Sequence, residues 1–214
     1  MVYNGTNRKR LAENTRQKIY DSAMHLFSTK SFNKVSVDSI VEMAGVSKGS
    51  FYVHFPSKSA LVNALISDQV QSADTDYTLF LESFSDDAPA EDLLLALIGK
   101  IADVVVDKIG YDKMKTVYKA QIADDVDTQT VTNYNRAIYK LFSDILERGI
   151  KRGELNSSLP LELLTRHLMM AIRGITYEWC IRSPEFNYKE EALQYFKLLI
   201  EGLRNPSLSS NRQM

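Results

Sequence analysis

The sequence predicts an all-α chain, with a small N-terminal three-helix head followed by a larger helical domain. Three observations predict it. Residues 36–58, SVDSIVEMAGVSKGSFYVHFPSK, carry capping serines and a glycine stop at the spacing of two short helices and the start of a third. From residue 90 to residue 204, apolar side chains recur at i, i+3, i+4 and i+7 in one stripe after another. No stretch alternates apolar and polar residues for long enough to make a strand.

Within 36–58, Ser36 stands as N-cap before Val37, Ile40, Val41 and Ala44, which form one apolar helical face. Gly45 supplies the positive φ of a helix stop. Ser47 caps a second helix, Lys48–His54, which Pro56 ends. Ser57 caps a third, with Leu61, Leu65 and Ile66 inward, running from Lys58 to about Thr75 and linking the head to the rest. Upstream, Asn14 and Gln17 have capping-box spacing, so the first helix is expected from Asn14 to about Thr29, with Ile19, Ala23, Leu26 and Phe27 on its inner face. Phe32 and Val35 plug the same core. Residues 1–13 are expected as a flexible basic arm bearing Arg8, Lys9 and Arg10, and residues 14–57 as the head.

Two short helices joined by a glycine-containing turn have the spacing of a DNA-binding helix-turn-helix, and equally of an ordinary helical hairpin. Composition favours the first. Phe51 and Phe55 face inward, which leaves Lys48, Gly49, Ser50, Tyr52 and His54 outward, and no acid occurs between Gly45 and Ala60. A face that meets phosphate has to lack carboxylates. Residues 1–72 hold nine Lys or Arg against five acids, a charge of +4, while the remainder sums to −5. A basic third on an acidic body points one end of the chain at a polyanion. The DNA-contacting residues are expected to be Arg8, Arg10, Arg16, Ser36, Ser47, Lys48, Gly49, Ser50, Tyr52, His54 and Lys58.

The run AGVSKGSFYVHFPSKSAL resembles the recognition segment of the TetR family of bacterial transcriptional regulators, whose pattern G-V-[ST]-x-[GP]-[ST]-[FL]-Y-x-[HY]-F-x-[SN]-K-x-x-L it matches at every named position. Ala23, Leu26 and Phe27, then Ile40, Ala44 and Gly45, are similar to the family's upstream pattern. The resemblance covers about residues 10–66. It implies a homodimeric repressor that binds a palindromic double-stranded operator and is released by a small-molecule effector held among the helices of the second domain. It further implies that the last two helices pair with those of a second copy, here within residues 160–203. A helical ligand-binding or scaffold protein with a non-functional head stays open as the alternative.

The second domain, residues 58–204, breaks at SDDAPAED, where Ser85 or Asp87 can cap a helix with Pro89 in its first turn. Leu93, Leu94, Leu97, Ile98, Ile101 and Val105 then form a stripe that Gly110 ends. Further helices are expected over 112–123, 128–152, from Pro160 to about Ile181 with His167 facing inward, and 188–203, with a disordered tail from Asn205. Methionine and aromatic side chains at helical spacing usually build core, yet with a few polar tips they also line small-molecule pockets. The effector contacts are expected to be Met114, Tyr118, Gln121, Tyr139, Phe142, His167, Met170, Arg173 and Tyr177.

Enzymatic chemistry finds no support. The three histidines lack metal-ligand spacing, and there is no phosphate-binding glycine loop and no G-x-S-x-G elbow. No metal or cofactor is expected. Cys180 is the only cysteine, so the chain has no internal disulfide and suits a reducing compartment. Without a signal peptide or an apolar run near membrane length, a cytoplasmic protein without membrane contact is expected.

Overall fold

The computed structural model describes residues 3–30, 32–122, 129–182 and 186–204; the expected tail from Asn205 lies outside them. Among the described residues there are helices and no strand. They are α1 (Tyr3–Thr29), a 3-10 turn (Phe32–Lys34), α2 (Val37–Ala44), α3 (Lys48–His54), α4 (Lys58–Glu82), α5 (Ala90–Asp103) with π-helical turns over Val104–Ile109, α6 (Tyr111–Ile122), α7 (Gln129–Thr132), α8 (Ala137–Lys151), α9 (Leu161–Arg182) and α10 (Tyr188–Glu201). The chain divides into two compact units, residues 1–69 with 116–131, and residues 70–115 with 132–214.

The first unit closes around Ile19, Ala23, Leu26, Val35, Ile40, Phe51 and Leu61, all buried. Phe27 stacks on Phe32 at 6.1 Å, which seats the 3-10 turn. The Tyr20 hydroxyl is hydrogen-bonded to Asp68 of α4, and burial followed by that carboxylate pushes its pKa up to about 12. α1 starts at Tyr3, not at Asn14, so Arg8, Lys9 and Arg10 ride on a helix and do not form an irregular arm. The run from Arg8 to Glu13 consists of strong helix formers, and Asn14 is simply carried inside it. Gln17 donates to Asp21 one turn on, so it takes no part in a capping box.

The second unit is held by buried stripes on α5, α8, α9 and α10, with α5 against α8 and α10, and α8 against α9. The expected stripe from Leu93 to Val105 is buried throughout, and Gly110, at φ 82°, follows it. α4 continues seven residues past Thr75. The acidic stretch after it is not a helix end, because Asp74 is paired and Tyr77 is buried. The Arg136 guanidinium donates through Nη2 to Asp74 Oδ1 at 2.6 Å and through Nε to Oδ2 at 3.3 Å, a forked contact of the kind a planar guanidinium favours. Arg136 also marks where the helix expected over 128–152 breaks: residues 133–136 form a turn between α7 and α8, with Asn133 accepting from the Asn135 N–H.

At the start of α5, neither Ser85 nor Asp87 caps. Pro89 occupies the cap position and offers no side-chain acceptor. The Ala90 N–H instead donates to Glu154 Oε2 at 2.6 Å, 64 residues away. Arg148 and Arg152 fasten the preceding turn by donating to the carbonyls of Ala88 and Asp86. Two ion pairs tie α5 to the C-terminal segment, Lys189–Asp103 at 2.6 Å and Arg204 Nε–Glu91 Oε2 at 2.9 Å. Ile122, the last residue of α6, is exposed.

Among the described glycines, the tightest fit is at Gly149 on α8. A Cβ there would lie 2.6 Å from the Ala90 Cβ and 2.8 Å from Leu155 Cδ1. No rotamer relieves a Cβ–Cβ overlap, so the helices must separate. Gly149→Ala is expected to lose about 1–3 kcal/mol of stability, read as a lower urea midpoint at an unchanged slope. An unchanged midpoint would show that α5 and α8 are free to part.

Candidate nucleic-acid interface

α2 and α3 are built by local chemistry. Ser36 accepts from the Ser39 N–H at 3.1 Å while Ser39 Oγ accepts from the Ser36 N–H at 3.1 Å, a reciprocal capping box. Gly45, at φ 64°, turns the chain in the left-handed region, and Ser47 restarts a helix by accepting from the Ser50 N–H at 3.1 Å. The Ser36 and Ser47 hydroxyls therefore serve the fold. Phe51 is fully buried, and Phe55 packs against it with ring centres 6.0 Å apart. These two rings fix which face of α3 looks outward.

That outward face carries Lys48, Gly49, Tyr52 and Val53, with Ser50 and His54 half-buried at its edge. No carboxylate lies on α3 itself. One stands beside it: Asp38 of α2 pairs with the Lys48 ammonium at 2.7 Å, and that hydrogen bond pushes the Lys48 pKa upward. Both side chains are exposed, so the pair orients Lys48 more than it stabilises the fold. Asp38 and Val53 were not among the residues expected from the sequence. Val53 sits four residues after Gly49, on the same face, and that spacing was the available signal.

The remaining cationic candidates differ in their surroundings. The Arg16 guanidinium lies over the Phe55 ring, 5.2 Å from its centre, so α1 presents a positive charge at the C-terminal end of α3. Arg8 and Arg10 are exposed on the helical extension of α1. Lys58 is turned inward. Its ammonium donates to the carbonyls of Phe32 at 2.9 Å and Val35 at 3.0 Å, and lies 3.9 Å from the centre of the Phe32 ring. It closes the 3-10 turn onto α4, and this engagement argues against the DNA contact expected for it.

The effector candidates fall in both units. Tyr118 and Gln121 belong to the first unit, and the other seven to the second. Arg173 donates to the Tyr139 hydroxyl at 2.6 Å; Tyr139 and Phe142 are buried, and Met114 is half-buried. His167, expected inward, is exposed, and Met170 is 59% exposed. Both line a groove of about 750 Å³ between α9 and α10, together with Ala171, Gly174, Tyr195 and Leu199. α9 thus has two apolar stripes. Leu164, Leu168, Ile172 and Trp179 serve the core, and Met170, Tyr177 and Ile181 face outward. Cys180 is buried, and desolvation pushes its thiol up to about 11, so it packs and does not react. Among the described residues no group of His, Cys, Asp and Glu is arranged to hold a metal ion.

Residues 19–65, the whole of α2 and α3 with the helical segments that pack on them, match the family model described as bacterial regulatory proteins, tetR family. Over this segment the chain is similar to the tetR family. Over nearly full length it is 27% identical to the HTH-type transcriptional regulator AcrR of Shigella flexneri, covering 93% of this chain and 96% of that relative. It is 23% identical to the HTH-type transcriptional repressor KstR2 of Rhodococcus jostii, covering 89% and 92%. The fold is that of the transcriptional regulator FadR from Bacillus subtilis, solved in complex with stearoyl-CoA, with a TM-score of 0.67 at 17% identity over 88% of this chain and 99% of that one. These relatives are named as transcriptional regulators.

The position of Lys58 generates a test of the tetR-type head. Lys58→Met keeps the stem and removes the charged donor, leaving the Val35 carbonyl without it and the Phe32 carbonyl with only the Val35 N–H. It is expected to lower stability by about 1–3 kcal/mol, measured by thermal or urea unfolding. Unchanged unfolding would release Lys58 from this structural role.

Proposed function

We propose that the chain is a homodimeric, cytoplasmic DNA-binding repressor that holds a palindromic operator and releases it when a small-molecule effector binds the second unit. It acts by binding, with no catalytic step. The observation that carries the reading is the outward face of α3: a two-turn helix locked by Phe51 and Phe55, bearing Lys48, Ser50, Tyr52 and His54 and no carboxylate. Such a helix fits the major groove, with Arg16 and the Arg8–Arg10 segment of α1 supplying phosphate contacts.

The homodimer reading is supported by the outer face of α9 and α10. Met170, Tyr177, Ile181, Tyr195 and Leu198 are exposed apolar side chains on these two helices. Gly174 stands among them, and a Cβ at this position would meet nothing within 4 Å. A glycine inside a helix costs about 1 kcal/mol relative to alanine, and here the chain's own packing gives no reason for it. Close approach of a second helix does give one. His167 and Met170 are accordingly assigned to this face and not to an effector pocket.

The effector reading is supported by the relatives: a stearoyl-CoA complex for FadR of Bacillus subtilis, and a lauroyl-CoA complex for its Thermus thermophilus counterpart. In this chain Met114, Tyr139, Phe142 and Arg173 of the second unit remain the candidates, with Arg173 as the charged contact. α4 contributes Leu61 and Leu65 to the first unit and the buried Tyr77 to the second, so it is the element we assign to coupling. No helix of the described residues is long and apolar enough to cross a membrane.

Three measurements test this function. Lys48→Ala is expected to cost about 1–3 kcal/mol of affinity for a duplex selected from a randomised pool, and to relax preference at one base pair. Uniform weakening with a shallower salt slope would make Lys48 a phosphate contact instead. Met170→Glu combined with Leu198→Glu is expected to sediment as a monomer and to lose tight operator binding; a dimer that still shifts DNA defeats the assigned interface. Thermal-shift screening against fatty acyl-CoA thioesters and other metabolites is expected to find a ligand that lowers DNA affinity by about 5- to 150-fold. A ligand that binds and leaves DNA affinity unchanged removes the effector role.

A further inference from the structure

The outward face of α3 contains two residues for which the head itself gives no reason. At about 100° per residue, the side opposite Phe51 is centred on Gly49 and Val53, with Lys48 and Tyr52 on one flank and Ser50 and His54 on the other. Val53 is 81% exposed, more than any other large apolar side chain among the described residues. Gly49 has no positive φ, and a Cβ added to it would meet only Ser47 Oγ, at an ordinary 3.7 Å. The fold therefore has room for a side chain at the one position and no apolar partner for the side chain at the other.

Both are accounted for by a surface outside the chain that comes close and presents an apolar group. Gly49 removes the atoms that would hold the helix away. Val53, four residues on, then meets whatever lies at the floor of the contact. In the major groove the apolar group is the C5-methyl of thymine. α3 spans about 10 Å at the usual rise, so Gly49 and Val53 can lie in the groove together while Lys48 and Tyr52 reach base edges or phosphates beside them. Resting on the DNA-binding reading above, we propose that Val53 reads a thymine methyl group in each operator half-site, and that Gly49 sets the close approach that allows it. This makes Val53 a specificity-determining residue that acts by shape and apolar contact, next to the hydrogen-bonding positions around it.

The test uses the full-length chain and duplexes that it enriches from a randomised pool. Each thymine of the enriched half-site is replaced in turn by deoxyuridine, which removes the methyl group and leaves base pairing intact. Loss of one buried methyl predicts about a three- to five-fold rise in Kd per half-site at one thymine position. Val53→Ala is expected to lose that sensitivity at the same position and keep the wild-type response at other thymines. Gly49→Ala is expected to keep or raise the urea midpoint, since alanine is the better helix former, while Kd rises at least about ten-fold. Enriched duplexes that tolerate deoxyuridine everywhere, or a Val53→Ala protein with an undiminished methyl penalty, overturn the proposal and leave the DNA-binding reading standing. Undiminished binding by Gly49→Ala overturns the close approach. If no duplex is enriched by the wild-type chain, the DNA-binding reading itself falls, and this inference with it.

Discussion

A helix of seven residues does not hold its shape in water, because too few hydrogen bonds form to offset the ordering of its first turn. α3 is such a helix, and everything assigned to its outer face depends on its being rigid. The constraint is met from below. Phe51 has no exposed surface and Phe55 almost none; the two rings pack on each other and into the cluster of Ile19, Ala23, Leu26 and Ile40. Ser47 satisfies the start of the helix, and the Arg16 guanidinium covers the Phe55 ring at its end. The recognition surface is therefore a product of the core behind it, and α1, α2 and the start of α4 are the parts of that core.

Much of this head could be read in the sequence because its determinants are local. Ser36, Gly45, Ser47 and Ser57 each act within three residues of the helix end that they cap, and the paired phenylalanines declare the buried side of α3 by spacing alone. What escaped was set by partners distant in sequence. Lys58 looked like a free cation until Phe32 and Val35 supplied carbonyls to it from 26 and 23 residues away. The helix from Lys58 was ended near Thr75, short of Glu82, because Arg136, the partner of Asp74 62 residues on, is invisible to a local reading. His167 was placed inward because α9 has two apolar stripes, and periodicity cannot say which of them belongs to the monomer's core.

The chain uses glycine in two opposite ways, and the contrast bears on function. Gly149 is required by the interior, where any added carbon collides with Ala90 and Leu155. Gly49 and Gly174 have room for a side chain and weaken helices that alanine would strengthen. Residues that cost stability and answer to no internal contact belong to surfaces that meet something else. One of these glycines lies on the face assigned to DNA and the other on the face assigned to a second copy. Val53 beside the first and Met170 beside the second are likewise large apolar side chains left exposed.

The hydrogen bond from the Ala90 N–H to Glu154 has a consequence for how the second unit comes together. With Pro89 at its cap and no local side-chain cap, α5 takes the acceptor for its first N–H from a distant residue. Its first turn becomes fixed only when the segment after α8 arrives, bringing Glu154 across a loop of 64 residues, with Gly149 and Leu155 closing on Ala90 from the same side. Helix start and tertiary closure are then one event, with its cost set by the entropy of closing a long loop. A chain wired in this way couples the first turn of α5 to the docking of α8, so loosening either contact frays the start of α5.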